Sequence, residues 1–426
     1  MEDIRIKEEL IKIVKEDSTK ATGCTEPVAV AYSANVGAGY IDTEKLEEIR
    51  VRVSKNIYKN GKAVKIPNTD LCGLDLAASL GVFTKECQSP FSVFSKLKES
   101  EIQKAKEFIA LGKVFVEYID DVVDIYISTE LISKDSKVKV IITGSHSYIR
   151  KIIKNDKVLV DNGPLDLGKT SMSIKSMSFK ELADIVRYMD YDDIKFTLEG
   201  VDINIEAANE GLKGYGLNLG KKLNELKEKG MLPNNFITDT RILTAAAADM
   251  RMGGGTLPIM TSGGSGNQGI GVTIPVYIVA KEENLDNDTL ARGLFFAHVV
   301  NRYVKEYSGK LSGICGCAIG AGIGASAAIA FMLGGDEEQI SGACINIYAN
   351  LTGMLCDGAK ESCSIKLSTS SEEAILAAYL SLNGMITNSD VGIVGDSVED
   401  TILNIGRLSH EGFSKVDDLM LEIIEG

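Results

Sequence analysis

The stretch KVFVEYIDDVVDIYISTELISKDSKVKVIITG, residues 113–144, decides the fold class. Its Val- and Ile-rich runs KVFVEYI, VVDIYIST and KVKVIITG, joined later by KVLVDN at 157–162, are separated by Asp-Asp, Lys-Asp-Ser and Lys-Asn-Asp breaks. Branched side chains pack well on a pleated surface and the polar breaks supply turns, so the pattern predicts several antiparallel strands. Just downstream, SFKELADIVRYMD (178–190) changes to a 3.6-residue period, which predicts a helix with Ser178 as N-cap. Residues 85–210 therefore read as an α+β module inserted into something else.

On the N-terminal side, EEIRVRVSKNIYKNGKAVKIPNTDLCGL (47–74) opens with strand-like alternation through Arg50 to Val53, turns at 59–61, and gives way to helical signals at 75–80. After Asn234 the composition shifts to Ala, Gly, Met and Leu, and helices are expected at 240–252, 270–281, 288–307, 317–333, 336–355 and 371–382. The expected architecture is α+β: a mostly helical domain made of residues 1–84 and 211–426, with the 85–210 module inserted. The apolar run Cys315–Gly335, CGCAIGAGIGASAAIAFMLGG, approaches the length of a membrane span. It is built from Gly and Ala, however, and reads as a closely packed buried helix.

The 426 residues carry 44% apolar and 25% charged side chains, an ordinary globular balance that excludes a disordered chain or a fibre. A net charge of −14 argues against a nucleic-acid partner, because phosphate neutralisation needs clustered Lys and Arg. A small-molecule partner is expected instead, with no membrane. The first residues, MEDIRIKEELIKIVKEDS, form a charged amphipathic stretch without the apolar centre of a signal peptide, so a cytoplasmic location is expected.

The glycine-rich segment GGGTLPIMTSGGSGNQG (253–269) contains a G-x-G-x-x-G match, but it lacks a clear strand before it and an acidic strand end after it. It also lacks the Lys of a phosphate-binding Walker loop. Two readings stay open: a tight interhelical loop, or a nest of backbone N–H groups flanked by Ser262, Ser265 and Asn267 that holds a small carboxylate. In TGCTEP (22–27), Cys24 is placed at the mouth of a helix, where the dipole is expected to lower its thiol pKa. The alternative is a buried, unreactive cysteine.

Five of the eight cysteines fall between 315 and 363: Cys315-Gly-Cys317, Cys344, and Cys356-Asp-Gly-Ala-Lys-Glu-Ser-Cys363. Neither C-x-C nor C-x6-C supplies the paired knuckles of structural zinc, whereas iron–sulfur clusters accept irregular spacings. Cys344, in SGACINIYANL, reads as core, and Cys72 and Cys87 belong to no constellation. Of three histidines, His298 reads as a packing or surface residue, while His146, in TGSHSYI, is a candidate to face a ligand. No Ser-His-Asp or HExxH signature is present.

Together the segments TGCTEP, IYKNGKAVKIPNTDLCGLDLAASLG, GGSGNQGI, ICGCAIGAGIGASAA and LCDGAKESC resemble the iron–sulfur L-cysteine desulfidase family, which is related to the α-chain of iron–sulfur L-serine dehydratases. The resemblance runs from about residue 20 to 400. It implies a [4Fe–4S] enzyme that converts L-cysteine to sulfide, ammonia and pyruvate without pyridoxal phosphate. It further implies Cys356, Cys363 and one cysteine of the 315/317 pair, Cys315 by its offset, as cluster ligands, with Cys24 as the base. The expected substrate contacts are Glu26, His146, Ser262, Ser265, Asn267 and Gln268. An iron–sulfur L-serine dehydratase and a non-enzymatic metal-binding protein are the alternatives, and a homo-oligomer is left open.

Overall fold

The computed structural model describes residues 2–84, 87, 90–123, 125–165, 174–309, 311–389 and 392–426. Its strands are β1 (Lys20–Ala21), β2 (Leu46–Ser54), β3 (Val114–Ile119), β4 (Tyr126–Ser133), β5 (Lys137–Thr143), β6 (Ile149–Lys154), β7 (Lys157–Asp161) and β8 (Ile259–Met260). The helices before the strand-rich segment are α1 (Glu2–Asp17), α2 (Thr25–Ala38), α3 (Lys55–Gly61), α4 (Leu74–Phe83) and α5 (Glu99–Ala110). Those after it are α6 (Phe179–Arg187), α7 (Tyr191–Ile194), α8 (Glu199–Gly211), α9 (Leu219–Glu228), α10 (Phe236–Met252), α11 (Gly266–Glu282) and α12 (Asn287–Ser308), then α13 (Ile323–Met332), α14 (Glu337–Leu351), α15 (Cys363–Leu382), α16 (Val398–Arg407) and α17 (Phe413–Glu425). The fold is α+β and mostly helical, as the sequence predicts.

Six strands form one sheet in the order β3-β2-β4-β5-β6-β7. All neighbours are antiparallel except β2 and β3, which run parallel. The predicted strand group was antiparallel throughout and lay within 85–210; the sheet instead takes its second strand from residues 46–54. The alternation of β2 turns Leu46, Ile49, Val51 and Val53 toward the core under α2 and α4. Its two edges pair with β3 and β4, and α3 to α5 provide the long crossover that a parallel neighbour requires. The strand β6, IRKIIK, was not among the predicted runs, because Arg150 and Lys151 interrupt its apolar pattern.

One face of the sheet is covered by α2 and α4, whose Ala29, Leu76 and Leu80 share a core with Ile49, Val51, Leu131 and Ile142. The Ser33 hydroxyl of α2 hydrogen-bonds the Thr129 hydroxyl of β4, which fixes the helix on the sheet. A second, larger core lies among the later helices. It also includes Leu182 and Val186 of α6 and Val201 of α8, so the helices at 179–211 pack with the helical layer and not with the sheet. Ser178 caps α6 as predicted, in a reciprocal box with Glu181.

The run after Cys315 starts as a π-helical turn at Cys317–Gly322 and continues as α13, whose residues are all buried. A Cβ on Gly324 would stand 2.7 Å from the Ala297 carbonyl oxygen of α12, so the two backbones meet where only hydrogen fits. Among the described residues no helix is long and apolar enough to cross a membrane. The layers are pinned together by β1 and β8, which pair Lys20 with Met260 and Ala21 with Ile259. Thr261 donates its backbone N–H to the Thr19 carbonyl at 2.9 Å. This clasp sets the segment ahead of Cys24 beside the glycine-rich loop.

Candidate active site

Cys24 is the N-cap residue of α2 and is buried. Its thiol donates to Glu26 Oε2 at 2.9 Å, the Thr25 hydroxyl reaches the same oxygen at 3.1 Å, and Asn60 Nδ2 of α3 donates to Oε1 at 3.0 Å. The lowered thiol pKa expected from the helix terminus is reversed. Burial, then the Glu26 charge, push the Cys24 thiol well above its ordinary range, and Arg251 only partly opposes them. For the Glu26 carboxyl, burial acts upward, but the nearby His146 and the Cys24 and Asn60 hydrogen bonds outweigh it and hold the group below its usual value. The resting pair is thiol and carboxylate. The charge of His146, on the turn between β5 and β6, is felt at Glu26.

The glycine-rich loop leads into α11, which begins at Gly266 and not at 270; Ser265 is its N-cap residue, without a side-chain cap bond. Asn267 accepts from Arg251 Nη1 at 2.9 Å and donates to Met252 Sδ at 3.6 Å. Ser262 faces inward, where its hydroxyl lies 2.9 Å from His298 Nδ1 and accepts from Asn301 Nδ2 at 2.8 Å. His298 is accordingly a buried polar partner; burial takes its pKa down to about 4 and keeps the ring neutral. Gln268 is buried against Gly316, where a Cβ would meet its Nε2 at 2.3 Å. Among the described residues Gln268 Oε1 and Asn301 Oδ1 have no hydrogen-bond partner, and both lie within 3.3 Å of where a Cβ on Gly320 would stand.

The C-terminal thiols are brought together by a short antiparallel contact. Cys315 N donates to Met354 O at 2.8 Å, Cys356 N donates to Gly313 O at 2.7 Å, and Ile314 bridges Leu355. Cys363 follows at the start of α15. A hydrogen bond from Cys317, working against burial, draws the Cys315 thiol down to about 6, with Lys366 adding to the effect. Burial lifts Cys356 to about 11 and raises Cys363, with the Cys315 charge adding to both. Lys59 acts on Cys356, and Lys360 on Cys363. Among the described residues no three His, Cys, Asp or Glu side chains already stand in metal-holding geometry. The donor chemistry nonetheless fits a thiolate-bound cluster: soft ligands on two loops, each thiol within reach of the others' charge, and lysines around them to balance thiolates. Cys344 lies in the core of α14, as expected.

Cys24, Val64 and Met252 form one apolar cluster with Ala359 and Cys363, so the N-terminal pair borders the C-terminal thiols. The fold thus unites Cys24, Glu26 and His146 on one side and the four thiols on the other, while Ser262 is engaged within its own buried network. Sequence reasoning missed Asn60, Arg251 and Asn301, while His298, read as a packing or surface residue, is buried. Arg251 carried a signal: it follows Asp249 in the Ala-rich helix AAAADMRM, where a charge has no bland reason to be buried.

With this geometry in place, the chain falls among serine-dehydratase-like proteins: residues 88–422 match the family described as the serine dehydratase alpha chain, and the chain belongs to that family. A UPF0597 protein of Clostridium botulinum (strain Hall) is 46% identical over 421 residues, 98% of this chain and 97% of the relative. UPF0597 proteins of Alkaliphilus oremlandii and Clostridium perfringens (strain SM101) are each 36% identical, covering 99% and 98% of this chain and the same shares of the relatives. The resemblance drawn from the motifs thus agrees with the family.

Proposed function

We propose that the protein is an L-cysteine desulfidase, a lyase that eliminates sulfide from L-cysteine to give hydrogen sulfide, ammonia and pyruvate. The carrying observation is the Cys24 thiol, hydrogen-bonded to a buried Glu26 carboxylate and packed in one cluster with Cys363. Cys315, Cys356 and Cys363 would hold a [4Fe–4S] cluster, which supplies a Lewis acid for the departing sulfur. Cys315 is favoured over Cys317 because its offset from Cys356 suits the set and its backbone N–H bonds Met354 O in the short contact that also holds Cys356.

The chain's own residues handle the proton. Because Cys24 rests as a thiol, it acts as a relay: its Sγ takes the Cα proton of the substrate as its own proton passes to Glu26 Oε2. The Cα–H electron pair forms the Cα=Cβ bond, and the Cβ–S bond breaks with its pair leaving on sulfur as HS⁻. The aminoacrylate then tautomerises to an imine, which water hydrolyses to ammonia and pyruvate. His146 and Asn60 hold the Glu26 carboxylate ionised and oriented, and the 262–269 loop, with Ser265, Asn267 and Gln268, receives the substrate. Cytoplasmic conditions, which keep thiols reduced, suit this chemistry.

A second reading, an L-serine dehydratase, is favoured by the family description. A metal carrier is disfavoured because its ligands would sit on open loops, whereas Cys315 is buried and Cys317, Cys356 and Cys363 are only partly exposed. Protein purified and reconstituted without oxygen is expected to release sulfide from L-cysteine; pyruvate from L-serine without sulfide from L-cysteine would transfer the assignment to the dehydratase, and iron-free protein that resists reconstitution would overturn both.

A further inference from the structure

We infer that Arg251 reads the α-carboxylate of the substrate at the N-terminus of α11, and so sets the requirement for an amino acid with a free acid. This rests on the proposed function for the identity of the substrate, but its geometry is independent of the sulfur chemistry. Arg251 is 4% exposed, yet among the described residues no carboxylate forms an ion pair with it. Its Nη1 is occupied by Asn267, while Nε has no hydrogen-bond partner among the described residues. A guanidinium enclosed in this way gains from an anion that joins it.

The free edge is aimed at a helix terminus. A Cβ on Gly266, the first residue of the seventeen-residue α11, would lie 2.4 Å from Arg251 Nε. The first intrahelical acceptor bond at this end is Gly269 N to Ser265 O, at 2.9 Å, so the N–H groups of 266–268 have no partner within the helix. Guanidinium and helix N-terminus together present parallel donors and positive charge to a planar carboxylate. Position supports a substrate group over a cluster counter-ion. The Arg251 charge is felt at Cys24, whereas Cys315, Cys356 and Cys363 are attended by Lys366, Lys59 and Lys360. An amino acid held here by its carboxylate brings its Cα toward the Cys24 relay.

The test compares L-cysteine with L-cysteinamide, in which the acid is replaced by a neutral amide, using reconstituted wild type, Arg251→Lys and Arg251→Met. Wild type is expected to prefer the acid in KM by about tenfold or more, with Arg251→Lys shrinking that preference and Arg251→Met abolishing it, while kcat changes less. Calorimetric titration with L-alanine and L-alaninamide repeats the comparison without turnover. Acid preference in binding that is reduced in Arg251→Lys upholds the carboxylate site even if no sulfide is ever formed, which separates it from the proposed function. If Arg251→Met fails to fold, the wild type and Arg251→Lys decide. Equal affinity of the wild type for acid and amide, or an undiminished preference in Arg251→Lys, overturns the inference.

Discussion

The Cys24 thiol lies 2.9 Å from Glu26 Oε2, two residues along the same helix, and points its proton into a carboxylate that is itself enclosed. Neither group alone is a competent base at rest, since the thiol keeps its proton and the carboxylate is shielded behind it. Glu26→Gln removes the acceptor and keeps the shape. It is expected to lower kcat by about 10²- to 10⁴-fold with unchanged iron content. Sulfide release within twofold of wild type in an anaerobic assay would discard the relay.

Substitution of the thiols one by one separates ligands from bystanders. Alanine at Cys315, Cys356 or Cys363 is expected to abolish the iron–sulfur absorption of reconstituted protein, whereas Cys317→Ala and Cys344→Ala keep it. An iron content in Cys315→Ala equal to wild type, with loss in Cys317→Ala, would exchange the roles of the first pair.

His298 provides a pH signature of stability. Burial brings its folded-state pKa to about 4, below the ordinary 6.5, so between these values the unfolded chain binds a proton that the folded chain does not. The contribution is fully present above pH 6.5 and is lost as the pH falls toward 4, amounting to ~3 kcal/mol at most. His298→Gln should flatten the fall of Tm across that window; an equally steep fall would reject the assignment.

The C-terminal helix α17 is held by an enclosed ion pair, Lys59 Nζ to Asp417 Oδ1 at 2.5 Å, with Lys59 almost fully buried. Asp417→Asn leaves that ammonium without its counter-charge and is expected to destabilise the protein by about 3 kcal/mol. The measurement is urea unfolding of the purified variant, and a midpoint equal to wild type would refute it.

The fold class was legible because residues 113–162 alternate as strands and residues after 234 carry small apolar side chains at helical spacing. The position of β2 was not, since choosing a neighbour depends on which faces are buried, and alternation within 46–54 says nothing about its partner. Cys24 and His146 are marked by their own segments and Glu26 only by the resemblance; the structure joins Cys24 to Glu26 by a hydrogen bond. The acidity of Cys24 could not be read from its place at a helix start, because the opposing burial and the Glu26 charge arise only from tertiary packing. Arg251 shows in the sequence only as a charge beside an alanine run; that no carboxylate among the described residues pairs with it is a property of the folded core.

The pairing of β1 with β8 joins residues 20–21 to residues 259–260, and the thiols that complete the site come later still. A ribosome adding about 5–20 residues per second therefore releases Cys24 roughly tens of seconds before Cys363 exists. Throughout that interval the first half of the pocket is open to solvent and oxidant. On the proposed function, iron delivery follows translation, and a cell that makes this protein guards its nascent thiols before it equips them.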